Sequence, residues 1–275
     1  MVGILLAPKE QGGDVKDDRA AVIRQYLFAN GHSAVQDIAD AVGASLATVR
    51  RDLMELEAGG AIERTHGGAR IAGRVVTELA FGLRESRQIA QKRAIADAAY
   101  ERIVPGTALF LDAGTTVLQL ARRMRLDPLP LTVFTNCLPV AQILMDVTPI
   151  KVTLLGGSLR AENASMVGAL AEEMLERLWF SQLFLGAGAI ADDGTVTSVD
   201  EQEARLNARM MARTDQVLVL ADAGKFGQRL TYRVDRLRPP VEVITDCGLG
   251  PEWIGRLAAF GVPVTRAALA ARAVA

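Results

Sequence analysis

The chain has 275 residues, half of them hydrophobic and 23% charged, which predicts a packed globular protein with room for a small domain and a larger one. Its formal net charge of −1 excludes a histone-like protein that binds nucleic acid through overall basic charge, so any affinity for DNA has to come from locally clustered arginines. No run approaches the roughly eighteen apolar residues of a membrane-spanning helix, and we expect no membrane partner.

The few cysteines and histidines also limit the chemistry that the chain can perform. Cys137 and Cys247 stand far apart and without metal-ligand spacing, which favours a reduced, cytoplasmic protein over a disulfide scaffold. His32 and His66 lack the thiolate or carboxylate companions that a metal site needs. We therefore expect neither a metal nor another cofactor.

Residues 1–17 are interpreted as a flexible extension, because the apolar run at residues 4–7 is too short for a secretory signal and lacks a preceding basic region. A small domain is predicted over residues 18–73, and it begins with helices over 18–30 and 35–42. The apolar residues that recur at helical spacing in these two helices are Val22, Ile23, Leu27, Val35, Ile38, Ala39 and Val42. A glycine follows each helix, at the position where helices commonly end.

The next segment combines an apolar stripe with a small, basic opposite face. The stripe has the three- and four-residue spacing of a buried helix face and consists of Leu46, Val49, Leu53 and Leu56. Ser45 is the predicted N-cap of this third helix. Small residues and paired arginines on the other face suit a helix that lies in the major groove of DNA. Two short strands, residues 61–64 and 69–71, are predicted to form a β-hairpin wing after it.

This arrangement predicts a winged helix-turn-helix domain that binds double-stranded DNA. The candidate DNA-binding residues are Ser45, Ala47, Thr48, Arg50, Arg51, Arg64, Thr65 and His66. Two alternatives stay open at this point. The third helix could be an ordinary amphipathic surface helix on which Arg50 and Arg51 are only solvated, and His66 could serve a purely local role in the turn.

Residues 74–91 are interpreted as a linker, because they contain few strongly apolar positions and several charges. The charged residues that support this interpretation are Glu78, Arg84, Glu85 and Arg87. The larger domain is predicted to span residues 92–275 and to begin with an amphipathic helix over 92–103. Any signal from the larger domain has to pass through the linker to reach the small one.

From residue 107 onward, short apolar runs that are long enough for buried strands alternate with helical periodicity. The runs are ALFL, LTVF, VTLL, LFLG, VLVLA and VEVI, and each is followed by small or polar residues. Alternating strands and helices predict an α/β fold with a mostly parallel sheet that is covered on both faces. The residues after such strands collect along one edge of the sheet, where ligands bind in open α/β folds.

The chemistry of that edge favours an anionic ligand. Gly114 and the two threonines after it join a predicted strand to a helix, and a glycine turn at a helix N-terminus exposes N–H groups that bind anions. Lys225 and Arg160 follow other strands and could supply positive charge for a phosphate group. Local roles are the alternatives, since Gly114 could only allow a tight turn, Asp112 could merely cap it, and Lys225 could be solvated.

Motifs in both predicted domains resemble one protein family. The sequence TVRRDLMELEAGG followed by IERTHGGA resembles the N-terminal signature of the DeoR family of bacterial transcription regulators. The motifs LDAGTT, TN, LLGG and ADAGKFG are similar in order and spacing to the sensor domain of that family, whose fold is related to ribose-5-phosphate isomerase. The resemblance runs from about residue 18 to about residue 264. It implies a repressor whose C-terminal domain binds a phosphorylated sugar or a related metabolite, usually as an oligomer.

The resemblance completes the set of candidate effector-binding residues. These are Asp112, Gly114, Thr115, Thr116, Thr135, Asn136, Gly156, Gly157, Arg160, Glu203 and Lys225. The chain departs from the family pattern at Gly188, where Asp or Asn is usual, at Gly224, where Ser is common, and at Asn207, where Lys is frequent. These departures bear on which metabolite is bound.

The sequence thus predicts a sequence-specific repressor of a carbohydrate-catabolism operon that is controlled by a phosphorylated sugar. We expect it to act in the cytoplasm as a homo-oligomer, a dimer or a tetramer, and not to be an enzyme. The alternative from another class is a sugar-phosphate isomerase or deaminase with an accessory DNA-binding head, which would need a carboxylate within reach of a substrate proton. An activator, or an effector that acts as a co-repressor, is also compatible with the residues.

Overall fold

The computed structural model describes residues 14–59, 61–65, 67–71, 81 and 84–269. The chain divides into two compact units, residues 1–80 and residues 81–275. No helix within the described ranges has the length and apolar composition that crossing a membrane requires.

In its described residues, the first unit consists of three helices and a small antiparallel sheet. The helices are α1 (Asp14–Asn30), α2 (Val35–Val42) and α3 (Leu46–Ala58), and the strands are β1 (Ser33–Ala34), β2 (Ile62–Thr65) and β3 (Gly68–Ile71). The central strand β3 pairs with both β1 and β2. This is the predicted winged helix-turn-helix, with β2 and β3 as the wing.

Apolar side chains from all three helices and the wing form the core of the first unit. Its buried members are Ile23, Leu27, Ile38, Ala39, Val49, Leu53, Leu56, Ile62 and Ala69. Gly43 ends α2 with a φ of 64°, a left-handed conformation that glycine adopts without a steric penalty. The chain reverses there and enters α3, whose apolar stripe faces this core.

The structure corrects three details of the predicted first unit. The first helix begins at Asp14, so it includes the last residues of the segment 1–17 that was interpreted as a flexible extension. Leu46, the first residue of α3, is 37% exposed, and Val22 is 46% exposed, so neither belongs to the buried apolar residues of its helix. Strand β1 has only two residues, which is too short to leave a periodic pattern in the sequence.

The second unit is built around a seven-stranded sheet. Its helices are α4 (Ile89–Tyr100), α5 (Thr115–Leu126), α6 (Leu138–Leu144), α7 (Ala169–Glu176), α8 (Glu201–Ala212) and α9 (Pro251–Ala259). The main sheet contains β4 (Ala108–Leu111), β5 (Leu131–Thr135), β6 (Ile150–Leu154), β9 (Phe180–Gly186), β12 (Thr214–Leu220), β14 (Val241–Asp246) and β15 (Val264–Ala267). A hairpin of β7 (Ser158–Arg160) and β8 (Ser165–Val167) and a small sheet of β10 (Ala189–Ile190), β11 (Thr195–Ser198) and β13 (Tyr232–Arg236) complete the described strands.

All neighbouring strands of the main sheet are parallel, in the order β15-β14-β12-β9-β4-β5-β6. The chain enters the sheet at the interior strand β4, adds β5 and β6 on one side, and then adds β9, β12, β14 and β15 on the other side. The strand order therefore reverses between β4 and β9. In open α/β sheets, ligands bind at such a switch point, beside the carboxyl ends of the strands. The predicted α/β fold with a mostly parallel sheet is confirmed.

Helices cover both faces of the main sheet. Alternate residues of a strand point to opposite faces, and Leu109 of β4 packs in one core while Phe110 packs in the other. The core around Leu109 includes residues of α4, α5 and α6, and the core around Phe110 includes residues of α7, α8 and α9. The apolar runs of the sequence are long because both faces of each central strand are buried.

The beginning of the second unit differs from the predicted domain boundary. The unit starts at Phe81, inside the segment 74–91 that was interpreted as a linker, and Phe81 packs against the core of the second unit. The first long helix, α4, spans Ile89–Tyr100 rather than residues 92–103. The linker prediction rested partly on charges, and two of the charged residues, Arg84 and Arg87, line a cavity of the second unit.

Candidate functional site

The third helix of the first unit begins with a side-chain cap. Ser45 accepts a hydrogen bond from the backbone N–H of Thr48 at 3.2 Å, and the two hydroxyl oxygens are 2.8 Å apart. The cap satisfies one of the N–H groups that a helix start leaves unpaired. It also engages the side chains of both residues, so they are held at the start of α3 rather than free to reorient.

The exposed face of α3 carries most of the predicted DNA-binding residues. Ala47, Arg50 and Arg51 are exposed, and Thr48 is half-buried. Met54 is 58% exposed and follows Ala47 by two helical turns, so it lies on the same face, although it is not among the residues predicted from the sequence. This face therefore combines the small Ala47, the basic Arg50 and Arg51 and the flexible apolar Met54. Such a combination suits a helix that contacts base edges and phosphates.

A partly buried ion pair fixes α3 against α1. Asp52 is 4% exposed and accepts two hydrogen bonds from Arg19, one from Nε at 2.6 Å and one from Nη2 at 3.0 Å. The bidentate geometry sets the orientation of the two helices as well as their distance. The ion pair was not predicted from the sequence, where its signal is an acidic residue next to Leu53, inside the apolar stripe.

The wing residues Arg64 and Thr65 are exposed, and each also has a partner within the first unit. Arg64 Nη1 lies 3.6 Å from a carboxylate oxygen of Glu57, and Thr65 Oγ1 lies 2.6 Å from Nε2 of His32. These contacts hold β2 to the end of α3 and to the chain between α1 and α2. The third predicted wing contact, His66, lies outside the described residues.

The second unit contains a cavity of about 400 Å³ at the switch point between β4 and β9. Its walls include the loops that follow these two strands, the segment before α4, and the inner face of α8. Polar side chains in the wall include Thr115, Thr116, Lys225, Glu203, Asn207 and Lys92. Five of the predicted effector-binding residues line this cavity. They are Gly114, Thr115, Thr116, Glu203 and Lys225.

One wall of the cavity is the N-terminus of the twelve-residue helix α5. Gly114 is its N-cap and provides no side-chain cap, so the first backbone N–H groups of α5 keep their capacity to bind an external acceptor. A Cβ atom at Gly114 would lie 3.6 Å from the Cα atom of Gly186, which shows how closely the two strand-end loops pack. The arrangement supplies uncapped N–H groups and the positive end of a helix dipole to the cavity.

Basic side chains outnumber acidic ones in the described cavity wall. The basic residues are Arg84, Arg87, Lys92 and Lys225, and the acidic residues are Glu203 and Asp222. The carboxylate of Asp222 accepts a hydrogen bond from the N–H of Gly224 at 3.1 Å and thereby shapes the loop that carries Lys225. The electrostatic balance of the wall favours an anion.

Lys92 joins the segment before α4 to the cavity. It is 5% exposed, and its ammonium group donates hydrogen bonds to the carbonyl oxygens of Arg84 and, at 2.7 Å, of Arg87. Burial lowers the pKa of Lys92 to about 8, although the nearby carboxylate of Asp222 acts in the opposite direction. We call these contacts between Lys92 and the two carbonyl groups the Lys92 clasp.

Glu203 is buried in the wall and held by several partners. One carboxylate oxygen accepts a hydrogen bond from Ser198 Oγ at 2.6 Å, and the other accepts one from the amide of Asn163. Arg160 Nη1 lies 3.7 Å from Glu203, and Arg160 Nε lies 3.4 Å from Asp200, the N-cap of α8. Arg160 does not line the cavity, so its role in the structure is to fix the start of α8 and to balance the charge of Glu203.

Asp112, at the end of β4, does not line the cavity either. It is fully buried, and its Oδ2 accepts a hydrogen bond from the N–H of Gly186 at 3.1 Å. Burial and, secondarily, the neighbouring charge of Glu203 raise the pKa of Asp112 well above its usual value. Its observed role is to tie the end of β4 to the end of β9, at the switch point itself.

The predicted residues at the ends of β5 and β6 are also outside the cavity wall. Thr135 donates a hydrogen bond to the carbonyl oxygen of Leu111 at 2.6 Å, and Asn136 contacts the carbonyl oxygen of Met166 at 3.4 Å. The two glycines after β6, Gly156 and Gly157, allow the chain to turn closely past neighbouring backbone. A Cβ atom at Gly157 would lie only 2.6 Å from the carbonyl oxygen of Val167. Because β5 and β6 lie on the far side of β4 from β9, their ends do not reach the switch point.

Several residues of the cavity wall were missed by the sequence analysis. They are Arg84, Arg87, Gln88, Lys92, Asn163 and Ser198, whereas Gly188, Asn207 and Gly224, the three departures from the family pattern, do line the cavity. The first four precede β4 and reach the cavity only because α4 packs on the sheet beside the switch point. The charges at Arg84 and Arg87 were a visible signal, but charged residues before a domain are also typical of linkers.

A winged helix-turn-helix with an exposed basic helix, followed by an α/β unit with a cation-rich cavity, defines a DNA-binding regulator that responds to a small ligand. The model of the DeoR C terminal sensor domain matches residues 87–247, and that of the DeoR-like helix-turn-helix domain matches residues 19–75. The chain belongs to the DeoR family of transcriptional regulators.

Relatives with similar sequences match over most of their length. The chain is 38% identical over 231 residues to the HTH-type transcriptional regulator GlpR of Haloferax volcanii, covering 84% of this chain and 90% of that protein. It is 34% identical over 235 residues to the lactose phosphotransferase system repressor of Streptococcus mutans, covering 84% and 92%. It is 34% identical over 237 residues to the HTH-type transcriptional repressor CsqR of Escherichia coli, covering 86% and 89%.

Among solved structures, the chain matches ribose 5-phosphate isomerase A from Methanocaldococcus jannaschii with a TM-score of 0.37 and 15% identity, covering 51% of this chain and 55% of that chain. It matches eIF2B delta from Chaetomium thermophilum with a TM-score of 0.38 and 15% identity, covering 76% and 64%.

Proposed function

We propose that this regulator is a sequence-specific repressor of a carbohydrate-catabolism operon and that its second unit binds a phosphorylated sugar. The observation that carries the proposal is the cavity at the switch point between β4 and β9. It combines an uncapped helix N-terminus with four basic side chains, which suits a phosphate group. Similarity to repressors such as that of the lactose phosphotransferase system supports the link to sugar catabolism.

In this proposal, α3 lies in the major groove of the operator and the wing contacts the backbone beside it. The proposed DNA contacts are Ser45, Ala47, Thr48, Arg50, Arg51, Arg64, Thr65 and His66. The exposure of the arginines supports direct contact with phosphate or guanine, and the buried stripe of α3 explains how the helix is held for it. The overall charge of −1 leaves sequence-independent binding weak, so these local contacts have to supply the affinity.

In the second unit, the proposed phosphate contacts are the N–H and hydroxyl groups at the start of α5 and the ammonium group of Lys225. Lys225 lines the cavity, and among the described residues no carboxylate lies within ion-pairing distance of its ammonium group. Asp112, Thr135, Asn136, Gly156, Gly157 and Arg160 are proposed to shape the site without touching the effector. Their observed hydrogen bonds, ion pairs and close packing support this indirect role.

The proposed mechanism is a shift between two populations of an oligomer. A homo-oligomer in the cytoplasm would place two heads on repeated half-sites, and the effector would favour an orientation of the heads that does not match the operator spacing. A ligand shifts an equilibrium only by its differential affinity for the two states. An inducer therefore has to bind the DNA-free form more tightly, and the operator has to weaken inducer binding by the same factor.

The observed hydrogen bonds do not favour the alternative of an isomerase or deaminase. A general base needs a carboxylate with a free oxygen within reach of the substrate proton. Glu203 and Asp222 are the carboxylates of the described cavity wall. Both oxygens of Glu203 accept hydrogen bonds from side chains, and Asp222 accepts one from a backbone N–H group. Glu203 is therefore fully engaged in holding the wall, and Asp222 is engaged through one of its two oxygens. Similarity to transcriptional regulators over most of the chain favours the regulator over the enzyme.

Thermal unfolding in the presence of pentose and hexose phosphates tests the proposed function. At a concentration a hundred times its dissociation constant, a true effector should stabilise the protein by about 2.7 kcal/mol and raise the midpoint of the second unit. The same compound should release the protein from the DNA upstream of its neighbouring operon in a mobility-shift assay. If no phosphorylated sugar produces either effect, the proposed function is wrong.

The pKa of Lys92 predicts how effector affinity depends on pH. In the free protein, Lys92 loses its charge as the pH rises through about 8. A phosphate monoester has its second pKa near 6 and stays dianionic above pH 7. Above that pH the charge of the phosphate group is therefore constant, and the charge of Lys92 changes. A bound anion favours the charged ammonium group, and binding should therefore take up a proton. Above pH 8 we expect the affinity to fall by up to about tenfold per pH unit.

Calorimetric titration between pH 7 and pH 10 measures this dependence, because proton uptake also appears as a difference between buffers of unlike ionisation enthalpy. In the control variant Lys92→Arg the guanidinium group stays charged over this range, so the affinity should vary much less with pH. Equal slopes in the two proteins would assign the pH dependence to another group.

A further inference from the structure

One residue of the cavity wall has a strained backbone conformation. Gln88 has a φ of 55° and a ψ of 38°, in the left-handed region that residues other than glycine seldom adopt. Among the described residues, Ala164 is the only other non-glycine residue with a positive φ, and it does not line the cavity. Strain of this kind lowers stability, and it clusters at sites where the conformation serves a function.

The side chain of Gln88 lies beside the loop that carries Lys225. A Cβ atom at Gly224 would lie 3.4 Å from Nε2 of Gln88, so the missing side chain of this glycine leaves room for the amide group. Gln88 is the N-cap residue of α4, but its side chain does not cap the helix. The residue is exposed, and its amide group has no hydrogen-bond partner within the described part of the chain. A ligand in the cavity can therefore reach this amide group.

Two lysines belong to the same part of the wall. Lys225 follows Gly224 in the chain, and Lys92 follows Gln88 by four residues, one turn along α4. Burial is the main reason that the pKa of Lys92 is lowered to about 8, and the charge of Lys225 adds to this effect. The two ammonium groups are therefore close enough to repel each other. A neutral amide supplies further N–H donors for an anion at this place without adding to the repulsion.

We propose that the amide group of Gln88 donates a hydrogen bond to the phosphate group of the effector, beside Lys225. An amide offers both a donor and an acceptor, and an anion between the amide and the lysine selects the orientation in which the nitrogen faces it. This inference rests on the proposed function, because it adds a contact to the same phosphate site. In this role the left-handed conformation of Gln88 is retained because it holds the amide group at the phosphate.

The test replaces Gln88 with glycine and with methionine in the full-length protein. Glycine adopts the left-handed conformation without a steric penalty and is accepted at an N-cap, so Gln88→Gly should unfold at the wild-type temperature or above it. The probes for calorimetric titration are inorganic phosphate and the pentose or hexose phosphate that stabilises the wild type most. We expect Gln88→Gly to bind both at least tenfold more weakly, because a hydrogen bond to a charged group is lost. Gln88→Met keeps the length of the side chain without the amide group, and it should lose as much affinity.

Ala164→Gly is the matched control. It relieves the same backbone conformation outside the cavity wall, so it should also unfold at the wild-type temperature or above it. It should bind both probes as the wild type does. A loss of affinity in this control equal to that of Gln88→Gly would trace the effect to the added flexibility of glycine and overturn the inference.

Other outcomes overturn the inference or separate it from the proposed function. Normal phosphate binding by either Gln88 variant would mean that the amide group does not contact the phosphate. A loss confined to the sugar phosphate would place the contact on the carbon chain instead, which contradicts the inference. If the wild type binds inorganic phosphate but no sugar phosphate, the proposed function is wrong, and a tenfold loss of inorganic phosphate affinity in both variants would still support the contact. If the wild type binds neither probe, both proposals fail.

Discussion

Replacing Arg51 with alanine is expected to weaken operator binding by roughly 10- to 100-fold, the range expected for one arginine that contacts guanine or phosphate. The Arg51 side chain is 81% exposed on α3, and its Nε lies at a long 3.8 Å from a carboxylate oxygen of Glu55. Loss of the side chain should therefore cost the protein little stability. The effect should appear in a mobility-shift titration with a duplex that the wild type selects from a random pool.

The second unit offers a matched control for this substitution. Arg177, just after α7, is 83% exposed and lies 3.9 Å from Glu173, four residues earlier. Arg177→Ala thus removes the same charge and a similar weak ion pair without touching α3. We expect it to bind the selected duplex within about twofold of the wild type. If the two variants lose affinity equally, net charge explains the effect and the proposed DNA-binding face is wrong.

Replacing Lys225 with methionine is expected to weaken effector binding by roughly 10- to 100-fold, as loss of a hydrogen bond to a charged group does. At effector concentrations that release the wild type from its operator, the variant should stay bound. Methionine keeps the length and apolar character of the lysine chain, so the loop after β12 should keep its fold. Calorimetric titration and operator release measure the two parts of this prediction.

Lys151→Met is the control for Lys225→Met. Lys151 is exposed on β6, outside the cavity wall, and its replacement changes the net charge by the same amount. It should release the operator at the same effector concentration as the wild type. A Lys225→Met variant that loses operator binding without effector would show instead that Lys225 is needed for the fold, which contradicts its role as a phosphate contact.

The fold could be predicted from the sequence where the periodicity is strong. The buried stripe of α3 and the six apolar strand runs are local patterns, and both describe the observed structure. Leu46 has the same spacing as the buried Val49, and no local pattern distinguishes the two. The exposure of Leu46 depends on how α3 packs against α1 and α2, which is a tertiary property. For the same reason the short strand β1 could not be predicted, since its pairing partner lies more than thirty residues away.

The candidate site was predicted less completely than the fold. The rule that strand ends collect at one edge is correct, but it does not give the order of the strands. With β6 at the edge of the sheet, Gly156 and Gly157 lie too far from the switch point to line the cavity. Conversely, Arg84 and Lys92 line the cavity from a segment that precedes every strand of the sheet. Long-range packing of α4 brings them there, and it leaves no signature in the local sequence.

The Lys92 clasp has a thermodynamic consequence for the regulator. A protonated ammonium group binds carbonyl oxygens more strongly than a neutral amine does, and an anion in the cavity keeps Lys92 protonated. Occupancy of the cavity therefore tightens the hold of Lys92 on the peptide groups at Arg84 and Arg87. These peptide groups lie at the start of the second unit, shortly after Phe81. Ligand binding and the rigidity of this start of the second unit thus increase together.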